Sequence, residues 1–156
     1  MDKLAINQNI KWCFRKVKAL GVWFSIRKEE AVMLNYQEKK EKVSKILSCW
    51  QHRWLTALLG NVTVIKSLAA SQLVYIMSSL PSSQPYLKEI HQLLYNFVWD
   101  GRGDKFKRSV MLNEYKDGGL KMLDIRSLNY ALKSKSVKKH LDDNNHAKWK
   151  LFWPFF

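Results

Sequence analysis

Two cysteines, Cys13 and Cys49, are all the chain contains, and they lie far apart with no C-x-x-C and no dense spacing. That excludes a disulfide framework and a zinc ribbon, and the pair reads as buried intracellular free thiols. The first residues, "MDKLAINQNIKW", hold no apolar stretch of the kind a secretory leader needs. The most apolar window, "VTVIKSLAASQLVYIMSSL", is broken by a lysine, a glutamine and several serines. It reads as too polar for a spanning helix and suits one buried in protein. These absences set the expectation of a soluble, intracellular chain, nuclear or cytoplasmic. No internal repeat is visible, and residues 3–28 contain no acid at all.

What is present is cationic and oily. The 156 residues suit one ordinary domain or a slice of a larger one, and 47% of them are hydrophobic, enough to build a core. Lys and Arg number 27 against 13 acids, a formal charge of +14. Residues 3–28 carry +7 through Lys3, Lys11, Arg15, Lys16, Lys18, Arg27 and Lys28, and residues 105–139 carry another +7. The stretch between, 46–99, holds only Arg53, Lys66 and Lys88 against Glu89. Two blocks of one sign repel unless something negative lies beside them, which points to a polyanion and, with the composition, to nucleic acid.

The element pattern is uneven. "VKALGVWFSI", residues 17–26, is rich in β-branched and aromatic residues around Gly21 and predicts a short strand with a bulge or close backbone approach. From Glu29 the spacing turns helical, with Val43, Ile46, Leu47, Trp50, Trp54 and Leu58 on one stripe and a stop at Gly60-Asn61. A second helix is expected over Val64–Leu80, and a third carries Leu87, Ile90, Leu94, Phe97 and Val98 and ends at Asp100-Gly101. "NEYKDGGLKMLDI" predicts a Gly118-Gly119 turn with short extended pieces. A last helix should start after Asp124 and kink near Ser134 and Ser136, where its apolar phase drifts.

Catalytic constellations are missing. "HLDDNNH", residues 140–146, offers His140, Asp142, Asp143 and His146 from one polar stretch, whereas a hard-cation site draws carboxylates from several elements. Its Asp-Asp pair lacks the apolar strand frame of a polymerase hairpin. "GRG" at 101–103 is neither a P-loop nor a dinucleotide fingerprint, and Arg102-Gly103-Asp104 matches an adhesion tripeptide by coincidence. His52 and His91 stand alone, His52 beside Arg53 on what reads as a basic helix face.

"VKALGVWFS" (17–25), "KILSCWQHRWLTALLGNVTVIKSLAASQLVYIMSSLP" (45–81), "NFVWDGRGDKFKR" (96–108) and "GGLKMLDIRSLNYALK" (118–133) resemble, in sequence and order, the region downstream of the catalytic core of non-LTR (LINE-type) retrotransposon reverse transcriptases. The resemblance covers roughly residues 10–152. It implies a mainly α fold: palm-edge, primer-grip-like strands over 1–28, a thumb-like helical bundle over 29–100, and a mixed post-thumb connector with a further helix over 101–156. Leu20, Gly21 and Trp23 match the primer-grip neighbourhood. It further implies that the chain grips an RNA/DNA template–primer without polymerising. The catalytic aspartates, with the divalent metal they bind, would belong to palm and fingers encoded before Met1, so this chain needs no cofactor of its own. Two positions depart from the pattern: Trp54 and Asn61 stand where relatives more often carry a polar and a basic residue. "KLFWPFF" gives an abrupt apolar end. Without its palm such a piece should expose a sheet edge and apolar surface.

Trp99 has the spacing of a core residue, while Lys105, Lys107 and Arg108 have no visible apolar role and are the better candidates for sequence-blind phosphate contacts. Lys121 joins them from the resemblance, and Arg53 and Lys66 from the helices, unless those two pair with Glu89 or cap a helix. The competing reading is an independent basic helical module that binds nucleic acid or is purely structural. A membrane-surface binder is weaker, because the apolar faces consume one another.

Overall fold

The computed structural model describes residues 15–53 and 57–142. Cys13, Lys3, Lys11, Trp54, Asp143 and His146 lie outside them. The fold is mainly helical, with two short antiparallel strands at its start, as the residue pattern and the resemblance lead one to expect. β1 (Lys16–Ala19) and β2 (Val22–Ser25) precede α1 (Lys28–Gln51), α2 (Ala57–Val64), a π-helical segment (Ile65–Ala69), α3 (Ala70–Ser79) and α4 (Gln84–Val98). α5 (Arg108–Leu112), a 3₁₀ turn (Tyr115–Asp117) and α6 (Ile125–Leu141) follow.

Side-chain pairs set the directions of the helices. Lys40 meets Glu89 at 2.5 Å and Gln51 meets Asp100 at 2.6 Å, so α1 and α4 run side by side in parallel. The helical run from Ala57 to Ser79 returns between them: its start meets the end of α4, and its end meets Tyr36 near the start of α1. Val43 and Leu47 of α1, Ile65, Leu73 and Ile76 of the returning run, and Leu87, Ile90 and Leu94 of α4 form the centre of the core. Met111, Met122 and Ile125 extend it under α6.

The expected stop at Gly60-Asn61 is not there; both residues lie inside α2. α1 ends at Gln51, and the Asn61 side chain donates to the Val98 carbonyl at 3.3 Å, satisfying the end of α4 rather than ending its own helix. The second helix therefore begins seven residues before Val64. At Ile65–Ala69 it widens into a π turn that leaves both Ile65 and Ala69 in the core. Leu58–Ser79 is long and apolar enough, by length and composition, to cross a membrane, contrary to the reading of its window as too polar. Here Ile65, Ala69, Leu73, Ile76 and Met77 are spent on packing against neighbouring helices.

Cys49, expected to be buried, is exposed, because it lies off the Val43–Leu47 stripe. Lys40 takes Glu89, so neither Arg53 nor Lys66 pairs with it. α6 is one uninterrupted helix without the expected kink. The Ser136 hydroxyl folds back on the Leu132 carbonyl at 3.2 Å, and the phase drift marks the point where the helix leaves the core. Asp124 caps α6, accepting from the Ser127 amide at 3.0 Å, the Arg126 amide at 3.3 Å and the Ser127 hydroxyl at 2.6 Å. Asp124→Ala should cost about 1 kcal/mol in chemical denaturation; an unchanged midpoint would mean that the cap is redundant.

Candidate nucleic-acid interface

The predicted single strand with a bulge is instead a two-residue hairpin. Ala19 pairs with Val22 across Leu20-Gly21, whose φ angles of 51° and 77° make a turn with both central residues left-handed. Gly21 supplies that conformation and nothing more, since a Cβ there would meet no atom within 4 Å. Leu20 stands at the tip, 91% exposed, with its carbonyl accepting from the Tyr75 hydroxyl at 3.3 Å. Alternation puts Lys16, Lys18, Trp23 and Ser25 on one face and Val17, Ala19, Val22 and Phe24 on the other. Val17 and Phe24 stay half exposed, which agrees with the expected apolar surface.

α1 holds this hairpin through three residues, the first being Glu30, which accepts from the Ser25 hydroxyl at 2.8 Å. Buried Asn35 accepts from the Trp23 amide at 2.8 Å and donates to the Trp23 carbonyl at 2.8 Å, a side-chain imitation of a neighbouring strand. Glu38 accepts from Trp23 Nε1 at 2.9 Å and from Lys18 at 2.7 Å, and pairs with Lys42 at 2.9 Å. The Lys18 bond first, then Lys42, holds its carboxyl down at about 2 from an ordinary 4.5. A depressed carboxyl contributes stability above its unfolded pKa and loses it as pH falls toward the folded one. The hairpin anchor should accordingly loosen between about pH 4.5 and 2, read as a change in tryptophan emission absent from Glu38→Gln.

Beyond Glu38 the same side of α1 continues as a groove of about 300 Å³ between α1 and the π–α3 run, lined by Lys45, Ile46, Cys49, Trp50, Leu68 and Gln72, among others. Arg53 lies over the ring of Trp50, one of the groove's lining residues, at 4.6 Å. Glu38, Lys42 and Lys45 follow i, i+4, i+7 spacing, a polar stripe beside the core stripe. From Glu38 to Arg53 the track is roughly 20 Å long, about six base pairs at 3.4 Å each. Lys16, Lys18, Lys42, Lys45 and Arg53 lie along it with Trp23 and Trp50 between them; Glu38 pairs with Lys18 and Lys42, and Glu30 reaches the hairpin at Ser25. Lys16 and Lys18 lie over the Trp23 ring at 5.7 and 5.2 Å.

The second basic group lies in the loop that follows α4 and in the first turn of α5. Trp99 is buried in the core, as its spacing predicted, and Phe106 leans on it at 5.8 Å. Lys105 and Lys107 are exposed, with no ion pair among the described residues. Arg108 is committed: it binds Asp104 at 2.7 Å and lies over the Tyr95 ring at 4.4 Å. Burial, then Arg108, lowers the pKa of His91, which is stacked on Tyr95 at 4.6 Å, so it is not a standing cation. Lys121 is likewise taken by Glu114 at 2.5 Å, and Lys66 is exposed on the π segment.

Of the nine residues picked from sequence, the structure unites Leu20, Gly21, Trp23 and Arg53 along the α1–α3 side. Lys105, Lys107 and Arg108 belong to the neighbouring α4 side, and no described hydrogen bond or ion pair joins the two groups. Asn35, Glu38, Lys42, Lys45 and Trp50 were missed. The i, i+4, i+7 polar stripe was the signal available for three of them.

No protein-family profile matches the chain. It is similar to an uncharacterized 149 kDa protein of transposon TX1 from Xenopus laevis, 27% identical over 143 residues. That alignment covers 91% of this chain and 11% of the relative. It is also similar to a putative ribonuclease H protein of Arabidopsis thaliana, 31% identical over 121 residues, covering 74% of this chain and 19% of the relative. The chain thus spans no more than a fifth of either relative's length and is related to a transposon-encoded protein.

Proposed function

We propose that this chain is the template–primer grip of a non-LTR retrotransposon reverse transcriptase: primer-grip-like hairpin, thumb-like helices and connector. It holds nucleic acid through phosphate contacts and does not polymerise by itself. The observation that carries the reading is the cationic track from Lys16 and Lys18 through Lys42 and Lys45 to Arg53, floored by Trp23, Trp50 and Ile46. Lysines on a helix face contact phosphates without reading bases, which is what a polymerase that accepts every template requires. Lys105 and Lys107 supply a second set of contacts from the α4 side. The transposon-encoded relative and the one named as a putative ribonuclease H protein support a nucleic-acid partner. The chain works inside the cell, in nucleus or cytoplasm, and the metal-binding aspartates of the reaction belong to other segments of a longer polypeptide.

Binding of an RNA–DNA hybrid should weaken roughly 150-fold between 50 and 200 mM salt if about four phosphates are neutralised, with little sequence preference. Replacing Lys42, Lys45 and Arg53 together by alanine should lower the salt slope by about 2 to 3. Salt-insensitive binding, or an unchanged slope in the triple variant, would remove the track from consideration. DNA synthesis by the same purified sample would overturn the non-catalytic assignment.

A further inference from the structure

α6 carries two apolar faces, and among the described residues only one is packed against other elements. Ile125, Leu128, Asn129 and Leu132 turn toward α3 and α4, and Asn129 accepts from the Ser82 hydroxyl at 2.8 Å. Tyr130, Val137 and Leu141 are 61%, 43% and 69% exposed. Their i, i+7, i+11 spacing places them on one stripe, roughly 140° around the helix from the core face. With Lys133, Ser134, Lys138 and Asp142 they line an open groove of about 670 Å³. The stripe is about 16 Å long, three helical turns.

The charges around it are mainly cationic, with Asp142 an acid at its C-terminal end. Arg126 and Lys133 flank it on one side and Lys138 on the other, and Lys135 lies one residue beyond Ser134. Lys133 is fixed in place by its bond to the Leu80 carbonyl at 2.5 Å, which itself depends on the Tyr36–Ser82–Asn129 chain of hydrogen bonds. The groove is therefore held on a braced helix rather than on a loop. Its floor of Val137 and Leu141 is aliphatic, with one ring, Tyr130, at its N-terminal end, in contrast to the two tryptophans of the Trp23–Trp50 track. A second copy would bring one lysine-lined stripe against another, on a chain already carrying +14.

We propose that this face of α6 docks an acidic amphipathic helix of a partner protein, leucine-type anchors seated on Val137 and Leu141 and carboxylates facing Lys138 and Arg126. The inference stands independently of the nucleic-acid reading, since it uses none of the residues of the α1–α3 track.

The test uses the 156-residue chain and a synthetic 20-residue helical peptide with leucines at i, i+4 and i+7 and glutamates on both flanks. Binding in the tens of micromolar is expected by fluorescence anisotropy. Val137→Asp and Leu141→Asp should each weaken it at least tenfold, and Leu141→Asp should do so without moving the melting temperature, since that side chain is 69% exposed. Lys138→Glu should weaken it about fivefold, and a peptide with lysine in place of the facing glutamate should recover that loss. Absence of binding at 500 μM, or binding indifferent to these substitutions, overturns the proposal. So does hybrid binding lost in Leu141→Asp, which would give the face to nucleic acid. A dimer that dissociates in Leu141→Asp would give it to a second copy. Peptide binding seen only after removal of residues 143–156 would give it to the chain's own last segment.

Discussion

Replacing Asn35 by alanine should detach the β1–β2 hairpin from α1 while leaving the helices assembled. Two of its three side-chain hydrogen bonds go to the amide and carbonyl of Trp23, and the third goes to Ala31 of its own helix at 2.7 Å. A methyl group leaves the Trp23 backbone groups facing an apolar gap, a cost of about 2–4 kcal/mol for two partly buried groups. Hydrogen exchange should report it as a roughly 30- to 1,000-fold loss of protection over residues 16–25, with α3 and α4 little changed. Asn35→Asp should be no better, because a carboxylate keeps the acceptor for the amide but turns an oxygen toward the Trp23 and Ala31 carbonyls. The functional consequence separates anchoring from charge. Lys16 and Lys18 remain in the chain, yet the salt slope of hybrid binding should fall because they are no longer held beside Lys42. Unchanged protection of the hairpin in Asn35→Ala would show that the Glu38, Glu30 and Tyr75 contacts hold it without Asn35.

Gly119→Ala should be the most damaging single methyl in the connector. A Cβ there would lie 2.2 Å from the Asn113 carbonyl oxygen and 2.4 Å from its carbon, both backbone atoms that cannot swing away. The close approach exists because residues 119–122 are laid along the end of α5. Gly119 donates to the Glu114 carbonyl, Lys121 to that of Asn113, and both Leu120 and Met122 to that of Met111. Making room means lifting this strap, which would draw Met111 and Met122 out of the core. A cost of about 3 kcal/mol or more is expected, with a melting temperature lower by roughly 10 °C. Gly118→Ala is the comparison: φ is +75° but nothing lies within 4 Å, so only the left-handed backbone is strained, at about 1 kcal/mol. Equal effects of the two substitutions would rule out close packing as the reason for the Gly-Gly pair.

Several elements were legible because one local rule governed each. α4 carries its buried residues at the spacing the sequence announces, and Asp124 both starts and caps α6. Gly60-Asn61 misled because a glycine followed by a polar residue is a common way to end a helix. Here the asparagine serves the end of a different helix, 37 positions away. Arg108 and Lys121 looked free because Asp104 and Glu114 are not recognisable as their partners until the chain has folded around them.

From sequence alone, periodicity and composition determined that the chain is mainly helical, begins with short strands, carries a large excess of positive charge and buries Trp99. These properties depend on neighbours a few residues apart, or on counting. Only the tertiary structure decided which cations act together. Lys18 and Lys42 are joined through Glu38, Arg53 is laid on Trp50, and the hairpin is pinned by Asn35. Asn35, Glu38 and Lys42 sit off the α1 core stripe; the polar spacing of Glu38 and Lys42 marks a helix face but not what that face meets, and Asn35 carries no local mark at all. The reason is physical: charge and hydrogen bonding act over ångströms in space, and the packing of α1 against β2, α3 and α4 sets those distances.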